Sequence, residues 1–381
     1  MLRNFLEAKP LYYTEIDYTR MPRAYESIKD KLQLPKIIHI IGTNGKGTTG
    51  RFLATALHNQ NYKVLHYTSP HILEFNERIW INGKNISDEQ LESLHQELLT
   101  LLNQEFIESL SYFEYTTFLA VLAAHECDYL ILEAGLGGEH DATSVFENVL
   151  TLVTPIDKDH EAFLGKTIKS IATTKLNAVQ HKAILAKQKH QDIYSVAKKI
   201  ALQKSVSITT VENYITKEDD EKISQITQQN TLPTYLIENL RLSISALKEL
   251  GIEYTSNDFL NSKLFGRLTQ LNQNVLIDVG HNALAAEAIY EVLKGSKYTL
   301  VYNSYKDKDY KQILKILKPI IKELLVIKVV DSRIEKRENL ESALIELNIS
   351  FKQFEKVDDN ESYLVFGSFS VVEEFLKVYR G

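Results

Sequence analysis

The chain contains one cysteine, Cys127, among its 381 residues. A single thiol closes no internal disulfide and builds no multi-thiolate metal site, which suits a reducing compartment. Long apolar runs are missing as well. None approaches the ~18 residues needed to cross a bilayer, so a membrane-spanning protein is excluded. The opening Met1-Leu2-Arg3-Asn4-Phe5 lacks the basic-then-apolar order of a secretory signal, and a cytoplasmic location is expected. There is no surplus of positive charge: the net charge is −6, which argues against a nucleic-acid partner. Glycine is scarce too, with 15 residues, about 4% against a usual ~7%.

What glycine there is, is concentrated. Gly42, Gly45, Gly47 and Gly50 share one short stretch, and Gly135, Gly137 and Gly138 another. Glycine allows positive φ and close backbone approach, so these two stretches are the first candidates for a site.

The length suits two domains of ~100–200 residues. From Lys36 to Ala186, strand-length apolar runs alternate with helical patterns. The expected strands are Ile37–Ile41, Val64–Tyr67, Tyr129–Leu132, Val149–Thr154 and Ala183–Leu185, mostly continuous runs as in parallel strands covered on both faces. Ser87-Asp88-Glu89-Gln90 reads as a capping box before a helix bearing Leu91, Leu94, Leu98 and Leu102. From Thr210 to Pro233 the chain turns polar and reads as solvated helix or loop without chemistry. A second alternation follows: strand Val275–Val279, helix Ala283–Leu293, strand Thr299–Tyr302, helix Tyr310–Leu317, strand Leu324–Val330, helix Leu340–Leu347, strand Tyr363–Phe366 and helix Val371–Val378. The class is α/β, with the division expected near 264/265.

Ile37–Ile41 runs into Gly42-Thr43-Asn44-Gly45-Lys46-Gly47-Thr48-Thr49 and then into a helix. Strand, glycine-rich turn and helix N-terminus are the parts of a phosphate cradle: amides and helix dipole meet the phosphates, Lys46 adds charge, and Thr48 reaches Mg²⁺. The spacing departs from G-x-x-x-x-G-K-[ST], because Gly47 separates the lysine from the threonine. A nucleoside triphosphate is the expected ligand.

Three further strands end in polar residues. Glu133 follows Tyr129–Leu132, Asp159 and His160 follow Val149–Thr154, and Ser69 follows Val64–Tyr67. Ligands of open α/β sheets bind at such carboxyl ends, and Mg²⁺ is usually held through one or two carboxylates. By chemistry alone, Lys175 reads as an exposed helical lysine. His58, His66, His95, His125, His181 and His190 read as helix-surface, strand or loop residues with no partner visible, and Cys127 as a small buried side chain. Tyr12, Tyr13, Tyr18 and Tyr25 either pack on the domain or edge a cleft.

Taken in order, these motifs resemble the folylpolyglutamate synthase / dihydrofolate synthase family of the Mur ligase superfamily. Besides the glycine loop, the resemblance rests on Thr68-Ser69-Pro70-His71, Phe75-Asn76-Glu77-Arg78, Phe113-Glu114-Tyr115-Thr116-Thr117, Glu133-Ala134-Gly135-Leu136-Gly137-Gly138 and Asp141-Ala142-Thr143. Asp159-His160, Phe265-Gly266-Arg267-Leu268, Asp278-Val279-Gly280-His281-Asn282, Asp307-Lys308-Asp309 and Phe366-Gly367-Ser368-Phe369 continue it. It implies a P-loop, Mur-ligase-like, three-layer ATP-binding domain over 1–264. A smaller, Rossmann-like α/β domain over 265–381 would close the cleft.

The resemblance implies an ATP-dependent ligase that adds L-glutamate to dihydropteroate, to the γ-carboxyl of reduced folate, or to both. It assigns Mg²⁺ to Thr48, Ser69, Glu133 and His160, and a CO₂-derived carbamate to Lys175 as a further metal ligand. Arg267, Asp278, His281 and Asn282 become nucleotide contacts beside the loop Gly42–Thr49. Ser111, Phe113, Asp141 and Ala142 become pterin contacts. Lys46, His160, Lys175 and Arg267 would serve catalysis, in a monomer with small-molecule partners only. The chain departs from the family pattern at Glu139, where arginine is usual, at Ser144, where asparagine is, and at Ala283, where proline is. Two other readings are a Mur-type ligase for another carboxylate and an ATP-binding regulatory protein without turnover.

Overall fold

Parallel strands need both faces covered, and the continuous apolar runs of this chain supply side chains for two. The computed structural model describes residues 1–10 and 17–380, without the side chains at 162 and 380. Tyr12 and Tyr13 lie outside the described residues. The chain divides into two compact units, Met1–Leu232 with Leu236–Ser262, and Pro233–Tyr235 with Lys263–Gly381.

The first unit has an eight-stranded sheet. Its strands are β1 (Lys36–Ile41), β2 (Val64–Tyr67), β3 (Ile79–Ile81), β4 (Lys84–Asn85), β5 (Tyr129–Glu133), β6 (Leu150–Val153), β7 (Lys182–Leu185) and β8 (Ser207–Thr210). They lie in the order β4-β3-β2-β5-β1-β6-β7-β8. All neighbours from β2 to β8 are parallel, and β3 and β4 pair antiparallel at one edge.

Side chains alternate across a strand, and this separates two layers of helices. Ile37, Leu65, Tyr67, Leu130 and Leu132 pack with the helices Asp88–Leu101 and Tyr112–Ala123. Ile41, Val153 and Leu185, from the same face, pack with Ile168–Leu176 and Gln191–Lys204. His66 has the opposite parity and abuts Gly50 of the helix Lys46–Asn59 on the other face, where Ile237–Glu249 also lies. The expected capping box forms: Ser87 Oγ accepts from Gln90 N at 3.2 Å, and Gln90 Oε1 accepts from Ser87 N at 3.1 Å.

The second unit holds β9 (Thr269–Asn272), β10 (Val275–Ile277), β11 (Tyr298–Tyr302), β12 (Ile321–Val326), β13 (Phe351–Gln353) and β14 (Tyr363–Phe366). Their order is β13-β12-β11-β14-β10-β9, parallel except for β9. The helices Ala283–Leu293 and Tyr310–Leu317 form as expected. The strand expected at Leu324–Val330 instead runs Ile321–Val326, because Leu324 and Val326 pair with β11 and fill the core while Val330 is exposed.

The polar stretch 210–233 is more than solvated chain. It contains the helix Lys217–Gln229, whose Asp219 is buried and receives hydrogen bonds from Lys248 Nζ and Tyr254 Oη, both at 2.6 Å. Asp219 turns inward because it shares a helix face with Ile223 and Ile226. No helix among the described residues is long and apolar enough to cross a membrane.

Candidate active site

Strands β2, β5, β1 and β6 are adjacent and parallel, so their carboxyl ends meet at one edge of the sheet. Gly42 opens the loop after β1 with φ of 138°, and a side chain there would run into Thr154 after β6. Two loop amides are already engaged, Thr43 N to Pro155 O at 2.9 Å and Asn44 N to the same oxygen at 3.3 Å. Thr43 Oγ1 also accepts from Asp157 N at 3.0 Å, which locks the loop to the chain after β6. Gly45, at φ of 88°, is the N-cap of the helix Lys46–Asn59 and no side chain caps it. The amides of Lys46, Gly47 and Thr48 therefore begin the helix without intrahelical acceptors and present its positive end, a geometry suited to phosphate.

Lys46 Nζ lies 3.5 Å from Gly42 O, 3.4 Å from Thr43 O and 3.9 Å from Glu133 Oε1. Glu133, at the end of β5, is buried, and its Oε2 accepts from Ser69 N at 3.3 Å and from the Thr68 hydroxyl. Thr68, rather than the Ser69 side chain, therefore supplies the hydroxyl that reaches Glu133. Thr48 is fully buried, and among the described residues its Oγ1 has no hydrogen-bond partner. An orphaned hydroxyl in the first turn of this helix, with a buried carboxylate on the neighbouring strand, fits a hard cation that takes oxygen ligands.

His160 has φ of 50°, with its amide on Asp159 Oδ1 at 2.9 Å. Among the described residues no three His, Cys, Asp or Glu side chains gather as a metal-ligand group.

Lys175 is not the exposed lysine that its local sequence suggests. It is 4% exposed, and its Nζ donates to Gly42 O at 2.8 Å and Gly137 O at 3.4 Å. Burial, reinforced by the positive charge of Lys46 and partly opposed by Asp159 and Asp141, lowers its pKa to about 7. Gly138 allows this approach, since a Cβ there would sit 2.6 Å from the Lys175 carbonyl oxygen. Glu139, at the first departure from the family pattern, accepts from Asn177 Nδ2 at 2.8 Å.

The expected pterin residues all have work within the fold. Ser111 caps the helix Tyr112–Ala123, its Oγ accepting from Glu114 N at 3.2 Å. Phe113 stacks on Tyr67 at 5.9 Å between ring centroids, with its edge over Gly135. Asp141 accepts from Leu136 N at 2.8 Å and Thr143 Oγ1 at 2.6 Å, and Ala142 is buried beside it. Tyr18 lies half exposed against His140, while Tyr25 packs edge-on against Phe146.

In the second unit, Asp278 accepts from Tyr235 Oη at 2.7 Å, Leu268 N at 2.8 Å and Gly280 N at 2.8 Å. This bond explains why Pro233–Tyr235 belongs to that unit. Asn282 caps the helix Ala283–Leu293 through Ala285 N at 3.0 Å. His281 Nδ1 lies 3.1 Å from Val279 O, and the Arg267 guanidinium lies 5.6 Å from the Phe369 ring centroid.

Several histidines read as partnerless have partners: Tyr115 Oη for His95 at 2.8 Å, Glu147 for His181 at 3.2 Å and Asp157 for His190 at 3.1 Å. The sequence reading also missed Asn239. Its Nδ2 donates to Gly45 O at 3.2 Å and Thr49 Oγ1 at 3.1 Å, while Ser243 Oγ donates to Thr49 O at 2.9 Å. The available signal was a polar pair at i, i+4 on a helix face otherwise filled by leucine and alanine.

No family model matches the chain. A curated relative, the dihydrofolate synthase/folylpolyglutamate synthase of Bacillus subtilis (strain 168), is 32% identical over 320 residues, 75% of this chain and 74% of that protein. The chain belongs to the dihydrofolate synthase/folylpolyglutamate synthase family. Among solved structures, the Helicobacter pylori folylpolyglutamate synthetase is 41% identical, with 100% of this chain and 98% of that one covered and a TM-score of 0.81. The fold of this family member is likewise that of E. coli FolC in complex with DHPP and ADP, at 24% identity, a TM-score of 0.83 and coverage of 98% of this chain and 96% of that one. The Mur-ligase-like two-domain architecture expected from the sequence is the one these relatives share.

Proposed function

We propose that this chain is an ATP-dependent ligase that joins the amino group of L-glutamate to dihydropteroate, to the γ-carboxyl of reduced folate, or to both. The observation that carries this reading is the full-length similarity to folylpolyglutamate synthetase at 41% identity, with Lys46 and Glu133 held beside an uncapped helix N-terminus.

In the proposed reaction, a carboxylate oxygen of the pteroyl substrate attacks the γ-phosphorus of ATP and ADP leaves. The amine of glutamate then adds to the acyl-phosphate carbon, phosphate departs and the amine loses a proton. Phosphoryl transfer asks mainly for alignment and charge neutralisation. Lys46 and the amides of Gly47 and Thr48 provide these for the triphosphate. Thr48 and Glu133, with Ser69 and His160, are the residues proposed to hold Mg²⁺, which would neutralise phosphate charge. Lys175 is the residue proposed to add CO₂: near pH 7 its amine becomes neutral, and neutral amine forms a carbamate with loss of a proton.

Ser111, Phe113, Asp141 and Ala142 are proposed as pterin residues, and Arg267, Asp278, His281 and Asn282 as nucleotide residues. A cytoplasmic monomer is part of the same reading. The test is release of ADP and phosphate dependent on glutamate together with dihydropteroate or tetrahydrofolate. Turnover only with a different carboxylate would move the chain to another Mur-type activity, and none with any carboxylate would leave a binding protein.

A further inference from the structure

We propose that Arg20 is a positioning residue for the pterin end of the substrate, acting through Glu114; this rests on the function proposed above. Arg20 and Glu114 are 94 residues apart in sequence, and both side chains are buried. Arg20 Nε donates to Glu114 Oε2 at 3.0 Å, and its Nη2 lies 2.9 Å from the same oxygen and 3.2 Å from Oε1. That oxygen also accepts from Ser111 N at 2.7 Å, closing the capping box that starts the helix Tyr112–Ala123. One carboxylate thus joins the N-terminal helix Arg20–Ile28 to the first turn of a helix that presents Phe113 to Gly135.

A second cation holds the same turn. Lys9 Nζ donates to Leu110 O at 2.8 Å and Ile107 O at 2.6 Å, immediately before Ser111. A buried ion pair contributes little net stability but can fix one geometry among several, and a planar guanidinium fork fixes it better than an ammonium. The geometry fixed here is the placement of Phe113 relative to the loop Gly135–Asp141. Its loss should weaken binding of one substrate while sparing the phosphate loop.

The experiment measures KM for dihydropteroate, KM for ATP and kcat in wild type, Arg20→Met, Arg20→Lys and Glu114→Gln. Arg20→Met should raise KM for dihydropteroate about tenfold, with KM for ATP and kcat within about twofold, the pattern of lost ground-state binding. Arg20→Lys should recover part of the loss. Folding is checked by thermal melting; if Arg20→Met does not fold, Glu114→Gln, which keeps an acceptor for Ser111, is read in the same way. An unchanged KM for dihydropteroate in a folded variant overturns the proposal, and so does an equal shift of all three constants. Wild type without turnover on either pteroyl substrate instead overturns the function on which it rests.

Discussion

Lys175 Nζ donates a 2.8 Å hydrogen bond to the carbonyl oxygen of Gly42, the first residue of the glycine loop after β1. A buried amine thus braces the turn that is proposed to hold the triphosphate, and Lys46 reaches towards the same carbonyl from the other end of the loop.

This brace has a pH signature. Lys175 titrates near 7 in the folded chain against an ordinary 10.5. Between those values the unfolded chain binds a proton that the folded chain does not, so this residue makes stability rise with pH from about 7 upwards. Urea midpoints of wild type and Lys175→Met, measured from pH 7 to 9.5, should diverge, wild type gaining on the variant as pH increases. Parallel curves would show that Lys175 is not held neutral by burial.

Lys46→Ala removes the one side-chain cation placed inside the loop. Glutamate-dependent ADP release should fall by more than ~10²-fold, the scale of losing one positioned electrostatic group. Near-normal turnover would remove Lys46 from the phosphate site.

Glu133→Gln keeps an acceptor for the Thr68 hydroxyl and the Ser69 amide while removing the charge. The Mg²⁺ concentration for half-maximal rate should rise about tenfold or more, because a hard cation prefers a carboxylate to an amide oxygen. An unchanged Mg²⁺ titration would separate Glu133 from the cation.

Asn239→Ala removes two of the three bonds described between the helix Ile237–Glu249 and Gly45 or Thr49, leaving that of Ser243 Oγ to Thr49 O. The expected cost is about 1–3 kcal/mol of stability, from buried polar groups left without a partner. KM for ATP should rise because Gly45 is no longer held from that side. Thermal melting and ATP titration check the two effects separately.

Much of the site follows from local features. The strand Lys36–Ile41, the glycine turn and the uncapped helix start are consequences of neighbouring residues, so the geometry of the loop proposed to hold phosphate is readable in the chain. So is the capping box at Ser87, whose partners are three residues apart. The misplaced strand end near Val330 shows the limit: an apolar residue continues the pattern, yet the parallel neighbour stops pairing at Val326. Thr68 and Ser69 show it too, because both hydroxyls follow the same strand and only backbone direction selects the one that meets Glu133.

By itself, the sequence determined the α/β alternation, the strand–glycine-turn–helix and the family, because periodicity, glycine clusters and ordered motifs are properties of adjacent residues. The tertiary structure alone decided that Lys175 is buried against Gly42, that Asn239 steadies the loop from another helix, and that Arg20 pairs with Glu114. Each depends on residues tens to hundreds of positions apart being packed together. Burial, which sets the charge of a lysine and the worth of an ion pair, exists only once that packing is complete.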